Sequence, residues 1–287
     1  MPNLSDEKVP NSADATDKAP TARWNLLSAS DGAVAYRLSS WSFFVDFLDR
    51  VVFPPGARHR YIWRGQRRSN WSLSSSLDRL FQKTGVIGFP QKELEDLSKR
   101  HLRVFQYASR GRRGTNPVQL RADNEWWALG QHFGLATPLL DWTRSPFAAA
   151  YFAFEENPPD STESRVVYAL DEGAVEQRYD ELHEGPSFEE GRLPVIELVD
   201  PMSDENQRLV SQGGLFTRAP IGTPIERWVE SQFEGSTSAV LVRIEIPDSD
   251  REVCLRALDR MNINHLSLFP DLGGASRYSN LRLEVDR

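Results

Sequence analysis

Two short segments rich in β-branched residues, 165–171 (RVVYALD) and 239–247 (AVLVRIEIP), most constrain what this chain can fold into. Turn-forming residues bound both segments, which is the pattern of a β-strand. Segments with the apolar spacing of amphipathic helices lie around them, at residues 39–52, 91–113, 123–133, 145–156 and 251–261. Because strands and helices interleave, the sequence predicts an α+β or α/β fold with a mixed sheet and flanking helices.

Shorter segments complete this outline. Residues 59–65 (HRYIWRG) and 196–201 (IELVDP) predict two further short strands, and the acidic residues 172–193 indicate a loop. Residues 1–22 contain almost no large apolar side chain, so they predict a disordered tail. We therefore expect a single domain over residues 23–287.

Composition excludes several classes of protein. The one cysteine, Cys254, allows no intramolecular disulfide and no cysteine metal site, and its apolar helical surroundings predict a buried thiol. A net charge of −7 argues against a surface that binds nucleic acid over its whole extent, although a local basic patch stays open. Without an apolar run of membrane-spanning length or the order of a signal peptide, the sequence predicts a cytoplasmic protein with no membrane partner.

The first of three polar clusters is Trp63-Arg64-Gly65-Gln66, at the end of a predicted apolar strand. A guanidinium is always charged, so Arg64 is costly to bury unless it meets an anion. Gly65 lets a ligand or a neighbouring backbone approach closely. The anion could be a ligand or a structural carboxylate such as Asp141, and the sequence leaves both open.

The second cluster runs from Gln131 and His132, at the end of a predicted helix, to Asp141 and Thr143. A helix beginning at Ser145 follows at once, and its free N–H groups favour an anion. These groups together could hold a phosphate-bearing ligand. The alternative is that Asp141 and Thr143 cap the helix and His132 bonds a core carbonyl, which we favour for His132 because it lacks metal-ligand spacing.

The third cluster comprises Asn206-Gln207-Arg208 and residues 212–216, beginning Gln212-Gly213-Gly214. A glycine pair is a weak phosphate signal, so a tight turn with Arg208 on a solvated edge is the simpler interpretation. In residues 268–274, Asp271 is expected to cap a turn. We interpret the basic runs at residues 67–68 and 110–113 as solvated faces. The alternative is that they contact a polyanion.

These blocks resemble the FRG domain family. The resemblance rests on residues 61–66, 71–79, 131–134, 137–143, 148–153, 206–208, 212–216 and 268–272, in that order. It covers about residues 39–275. Trp63 stands where Phe or Tyr is usual in the family, and Pro138 stands where Arg is common.

The layout of the family is similar to that of ADP-ribosyltransferases, which implies an ADP-ribosyltransferase-like mixed sheet around a polar cleft. By that resemblance NAD is the substrate, and Asp141 and His132 are the catalytic candidates. No metal is implied. The residues implied to bind NAD are Arg64, Gly65, Gln66, Gln131, Thr143, Arg208 and Gln212.

The glutamate of the third ADP-ribosyltransferase element is absent from this sequence, where residues 206–208 read Asn-Gln-Arg. An arginine there would repel the positive charge that develops on the ribose. Another carboxylate such as Asp141 serves instead, or the third block is misaligned, or NAD chemistry does not occur. The resemblance thus implies a toxin or phage-defence enzyme with a macromolecular target and an antitoxin partner. The alternative is a non-enzymatic sensor of a nucleotide or an anion.

Overall fold

A computed structural model describes residues 22–56, 60–157, 162–184, 195–200 and 214–285. The strands in these residues are β1 (Trp24–Ser30), β2 (Ala33–Leu38), β3 (Tyr61–Gln66), β4 (Leu139–Thr143), β5 (Ser164–Asp171), β6 (Glu197–Val199), β7 (Gly214–Arg218) and β8 (Leu241–Pro247). They form one sheet in the order β1-β2-β8-β5-β3-β4-β7-β6. β2 and β8 are parallel and the other neighbours are antiparallel, so the predicted α+β class with a mixed sheet is confirmed.

Helices flank this sheet, as the sequence predicted. They are α1 (Phe44–Phe47), α2 (Ser76–Lys83), α3 (Gln91–Ala108), α4 (Asp123–His132), α5 (Pro146–Phe154), α6 (Glu172–Glu184), α7 (Ile225–Gln232), α8 (Arg251–Arg260), α9 (His265–Leu268) and α10 (Leu272–Val285). A 3-10 turn (Trp41–Phe43) precedes α1 and a π-helical turn (Leu48–Val52) follows it. Ser40 caps this segment by accepting the Ser42 N–H at 3.2 Å.

The core lies on both faces of the central strands. Every residue of β5 is buried, because the strand has a neighbour on each side and helices over each face. On one face Trp63 and Val167 pack with α5 in one apolar cluster. On the other face Ile62 packs with Trp228 of α7 in a second cluster. The alternation along β3 therefore sends successive side chains to opposite cores.

Helix α5 fixes the position of β3. Ser145 accepts the Ala148 N–H at 3.2 Å and Pro146 occupies the first turn, as the sequence predicted. The alanines of α5 allow the helix backbone to lie directly on Gly65. A Cβ atom at Gly65 would stand 1.9 Å from the Ala149 carbonyl oxygen and 2.6 Å from the Ala153 nitrogen. Gly65 is thus required by a neighbouring backbone, one of the two possibilities that the sequence left open.

The prediction of a loop over residues 172–193 is wrong for its first half. Residues Glu172–Glu184 form α6, whose first N–H groups are capped by Asp171: its Oδ1 accepts from Gly173 (3.0 Å) and Ala174 (3.2 Å). Val175 is fully buried against the sheet, and this burial stabilises the helix. The acidic composition of the segment does not indicate such a contact. The helix predicted at residues 91–113 ends earlier, at Ala108.

The hairpin of β1 and β2 escaped the sequence interpretation although its signal was present. Asp31 and Gly32 lie between the strands with φ of 47° and 76°, and an Asp-Gly pair with left-handed backbone is the common two-residue hairpin turn. Most of β1 is exposed, so it shows no alternation of apolar residues from which a strand could be predicted.

Other predictions have mixed outcomes. Cys254 is fully buried, as predicted, and Asp271 caps a turn by accepting the Gly274 N–H at 2.7 Å. Residues 1–21 of the predicted tail, and Arg208 and Gln212 of the third cluster, lie outside the described residues. Among the helices that the structure describes, none is long and apolar enough to cross a membrane.

Candidate functional site

A cleft opens where the sheet splits between β3 and β4. These neighbouring strands pair at one position, Trp63 opposite Thr143, and then diverge. The resulting space has a volume of about 720 Å³. It is lined by the ends of β3 and β4, by the loop that leads from β3 to α2, and by the end of α5, together with Phe269.

The loop between β3 and α2 is held by hydrogen bonds to buried groups. Gln66 Nε2 donates to the Ser72 carbonyl oxygen at 3.1 Å, and the Leu73 N–H donates to Glu226 Oε1 at 2.8 Å. These bonds hold Trp71 at the cleft with 46% of its surface exposed. An exposed indole on an anchored loop offers a flat apolar face to a ligand.

Arg64 points from β3 into this cleft. Its Nη1 donates to the main-chain carbonyl oxygen of Asp141 at 2.7 Å, across the gap where the strands no longer pair. Its Nε is buried and has no hydrogen-bond acceptor among the residues that the structure describes. Burial lowers the pKa of Arg64, the Asp141 carboxylate opposes this, and the positive charge of Arg79 adds to the lowering. A partly buried cation in this state attracts an anion.

Asp141 and Gln131 form a polar link at the same edge. The Asp141 side chain is 63% exposed, and one of its carboxylate oxygens lies 3.8 Å from Arg64 Nη1. Gln131 Nε2 donates to the other carboxylate oxygen at 2.7 Å, and the buried hydroxyl of Thr137 donates to Gln131 Oε1. Gln131 therefore orients the carboxylate of Asp141, which leaves the carboxylate only partly engaged with Arg64.

The remaining predicted residues have diverse surroundings. Thr143 is buried at the rim of the cleft, and its Oγ1 accepts the Ser145 N–H at 3.2 Å. Because Ser145 itself caps α5, the alternative that Asp141 and Thr143 cap this helix is wrong. Gln66 lines the cleft with a buried Oε1 that has no partner in the described part of the chain. His132 is exposed beside the Phe133 ring, at 4.9 Å between ring centroids, and it does not line the cleft.

Glu155 is a cleft residue that the sequence interpretation missed. This residue directly follows the last turn of α5, and its side chain is 12% exposed. Burial and, to a smaller extent, the charge of Glu156 raise the pKa of the Glu155 carboxyl to about 7, against the opposing charges of Arg277 and Arg67. The signal in the sequence was a carboxylate directly after the apolar run of α5, where a charged group is costly to bury.

The surroundings of Glu155 leave one carboxylate oxygen without a hydrogen bond. Nδ1 of His265 lies 3.2 Å from Glu155 Oε2, but that nitrogen lies 2.7 Å from the Tyr151 hydroxyl, with which it makes its hydrogen bond. Oε2 is buried and has no hydrogen-bond partner among the described residues. An acidic group with spare hydrogen-bonding capacity in a cleft is a candidate for catalysis or binding.

The cleft thus defines a class of site: a polar, arginine-lined opening in a mixed sheet, with an exposed indole and a buried carboxyl. Over the described residues, no group of three or more His, Cys, Asp or Glu side chains is placed to hold a metal ion. Such a site suits an anionic ligand that carries an aromatic ring.

Residues 59–162 match the family model of the FRG domain, which confirms the predicted resemblance to that family. The predicted blocks at residues 206–208, 212–216 and 268–272 lie outside the match. The matched residues include β3, β4 and α5, and with them every cleft residue named above except Phe269. No curated protein and no solved structure shows a significant match to the chain.

Proposed function

We propose that the cleft binds NAD and that the chain is an ADP-ribosyltransferase. The observation that carries this proposal is Arg64, a partly buried guanidinium that faces an open cleft and whose buried Nε has no acceptor in the described residues. Arg79 lines the same cleft. Two arginines around one space repel each other unless an anion lies between them, and a diphosphate is an anion that arginines bind well.

The aromatic lining supports a ligand with a heterocyclic ring. Trp71 presents an exposed indole on one side of the cleft, and Phe152 and Phe269 lie on another part of its wall. Stacking of a base on an aromatic side chain is worth about 1–3 kcal/mol. NAD carries two such rings joined by a diphosphate, so it could use both the arginines and the aromatic residues.

The two carboxyl groups support the transfer step. When the bond between nicotinamide and ribose C1′ breaks, its electron pair leaves with nicotinamide and positive charge develops on the ribose. A carboxylate held close to that charge stabilises the transition state. Glu155 and Asp141 both line the cleft, and either could replace the glutamate absent from the third block. Glu155 would act in its ionised form, so activity would rise as the pH rises through about 7.

The proposed acceptor of the ADP-ribosyl group is a macromolecule, either protein or nucleic acid. A chain with this activity would act as a bacterial toxin or a phage-defence effector, and an antitoxin would restrain it. The cytoplasm is the compartment in which both NAD and such a target are present.

The alternative is a nucleotide or anion sensor. It is favoured by the exposure of Asp141, whose carboxylate is 63% exposed and is engaged by Gln131. The arginines alone suffice to capture an anion, and a sensor needs no carboxylate to stabilise positive charge. The two functions share the ligand site and differ in the fate of the nicotinamide bond.

The deciding experiment incubates the full chain with NAD labelled in the adenylate part and, separately, in nicotinamide. Release of nicotinamide with transfer of the adenylate label to a macromolecule supports the enzyme. Binding of NAD without nicotinamide release supports the sensor. If NAD, ADP-ribose and ADP all fail to bind, the enzyme and a sensor of adenine nucleotides are both wrong. Glu155→Gln and Asp141→Asn, assayed separately, identify the carboxylate, and the exposed Arg260→Ala serves as a matched control outside the cleft.

A further inference from the structure

A second pocket lies at the carboxyl end of α3, where the chain turns towards α4. Its volume is about 650 Å³, and we call it the basic pocket. The side chains that define it are those of Arg103, Gln106, Tyr107, Arg110, Arg113 and Trp126. None of these residues lines the NAD cleft described above, so the pocket is a separate feature of the surface.

The charge around the basic pocket is opposite to that of the whole chain. The chain has a net charge of −7, yet residues 97–122 contain no Asp or Glu. The same stretch contains Lys99, Arg100, Arg103, Arg110, Arg112, Arg113 and Arg121. Like charges at this density repel each other and destabilise the fold. A bound polyanion would relieve this repulsion.

Helix stabilisation explains only part of this charge. Arg112 Nη1 donates to the Ala108 carbonyl oxygen at 2.9 Å, which satisfies a free acceptor at the end of α3. Arg103 and Arg110 are exposed, and neither has a carboxylate partner in the described ranges. Their charge is therefore available to a ligand.

Aromatic faces accompany these charges. Tyr107 is 70% exposed, and the guanidinium of Arg110 lies 4.8 Å from the centre of its ring. The guanidinium of Arg113 lies 5.0 Å from the ring centre of Trp126. Guanidinium and aromatic planes both stack on unpaired bases, and the remaining positive charge contacts phosphates.

We propose that the basic pocket binds single-stranded nucleic acid. Arg103 and Arg110 contact the phosphates, and a base stacks on Tyr107. A single strand is the occupant that fits, because the bases of a duplex are stacked on each other and cannot reach an aromatic side chain. An acidic peptide would satisfy the arginines but would make no use of the exposed tyrosine.

The test is fluorescence anisotropy of the full chain, without NAD, with fluorescein-labelled oligothymidylate and oligouridylate of about 15 nucleotides. The dissociation constant is expected to rise between about 50 mM and about 200 mM KCl, because phosphate contacts release counterions. Arg103→Ala with Arg110→Ala should weaken binding about tenfold or more and make it less dependent on salt. Tyr107→Ala should weaken binding at least about fivefold. The control is again Arg260→Ala, which should change nothing.

Three outcomes overturn the proposal. The first is that neither oligonucleotide binds at the lower salt concentration. The second is that a duplex of the same sequence, or heparin, binds as tightly as the single strand and Tyr107→Ala has no effect, which marks a general polyanion patch. The third is that an acidic peptide binds while the oligonucleotides do not. Because these residues are exposed, thermal melts should show that every variant folds.

Discussion

Arg64 Nη1 donates to the main-chain carbonyl oxygen of Asp141 at 2.7 Å, whereas the nearest carboxylate oxygen of Asp141 lies 3.8 Å away. The arginine thus replaces a missing bond of the sheet, where β3 and β4 have separated, and its ion pair with the Asp141 carboxylate is long and partly exposed. This places a positive charge at the opening of the cleft. A structural arginine in the same protein has different surroundings: Arg165 is fully buried, makes a close ion pair with Asp248 and donates to two carbonyl oxygens, although its Nη2, like Arg64 Nε, has no hydrogen-bond partner among the described residues.

Replacing Arg64 by Ala should leave the chain folded and abolish binding of NAD or other nucleotides. The lost bond to Asp141 is offset by removal of a partly buried charge with an unpartnered Nε, so the free energy of unfolding should change by about 1 kcal/mol or less. Urea denaturation and a binding titration on the same preparation measure both effects. In the matched control, Arg165→Ala should lose about 3–5 kcal/mol because its carboxylate partner is left unpaired. An Arg64→Ala chain that unfolds, or that binds normally, would make Arg64 a structural residue.

Gly65→Ala should destabilise the fold by about 3 kcal/mol or more, or prevent folding. The added Cβ would stand 1.9 Å from the Ala149 carbonyl oxygen, and helix backbone cannot move aside as a flexible side chain can. Gly88→Ala is the control, since nothing lies within 4 Å of its Cβ position. Thermal melts of both variants give the comparison. Equal melting temperatures would show that α5 does not press on β3 as the structure describes.

Glu155→Gln should stabilise the protein at pH 8 and have little effect at pH 4. The folded state holds the pKa of Glu155 at about 7, above its ordinary value of 4.5, so the native state binds the proton more tightly than the unfolded state. The stability of the native protein therefore falls as the pH rises from about 4.5 to about 7. The full penalty is on the order of 3 kcal/mol, which glutamine removes.

Denaturant melts of the native chain and of Glu155→Gln across pH 4–8 measure this effect. Glu234→Gln, on an exposed side chain, is the control for loss of one negative charge. Parallel pH curves for the native chain and Glu155→Gln would mean that Glu155 ionises as an ordinary surface carboxyl.

Trp71→Ala should weaken nucleotide binding about tenfold, because a bound ring loses its stacking partner. The indole is 46% exposed, so the variant also loses the apolar surface that the remainder of the ring buries, as the control below does. Calorimetric titration with NAD and with ADP-ribose compares the variant with Phe89→Ala, a similarly exposed aromatic residue outside the cleft. Unchanged affinity in Trp71→Ala would remove the indole from the ligand site.

The sequence by itself determined much of the local structure. β-Branched residues and the turn residues that bound them located β5 and β8, and the Ser145-Pro146 pair placed the start of α5, because these signals act within a few residues. The ordered blocks of residues also predicted the FRG domain. Where local signals were weak or misleading the interpretation failed. The exposed face of α6 is acidic, and the helix is stabilised by the burial of Val175 against the sheet and by the Asp171 cap.

Only the tertiary structure decided which residues share the cleft. Arg64 and Asp141, 77 residues apart, meet because β3 and β4 are neighbours that pair at one position and then separate. Glu155 lines the same space because α5 lies across β3, whereas His132 faces away at the exposed end of α4. Strand order, strand separation and helix placement depend on contacts between distant segments, and no pattern within a single segment encodes them.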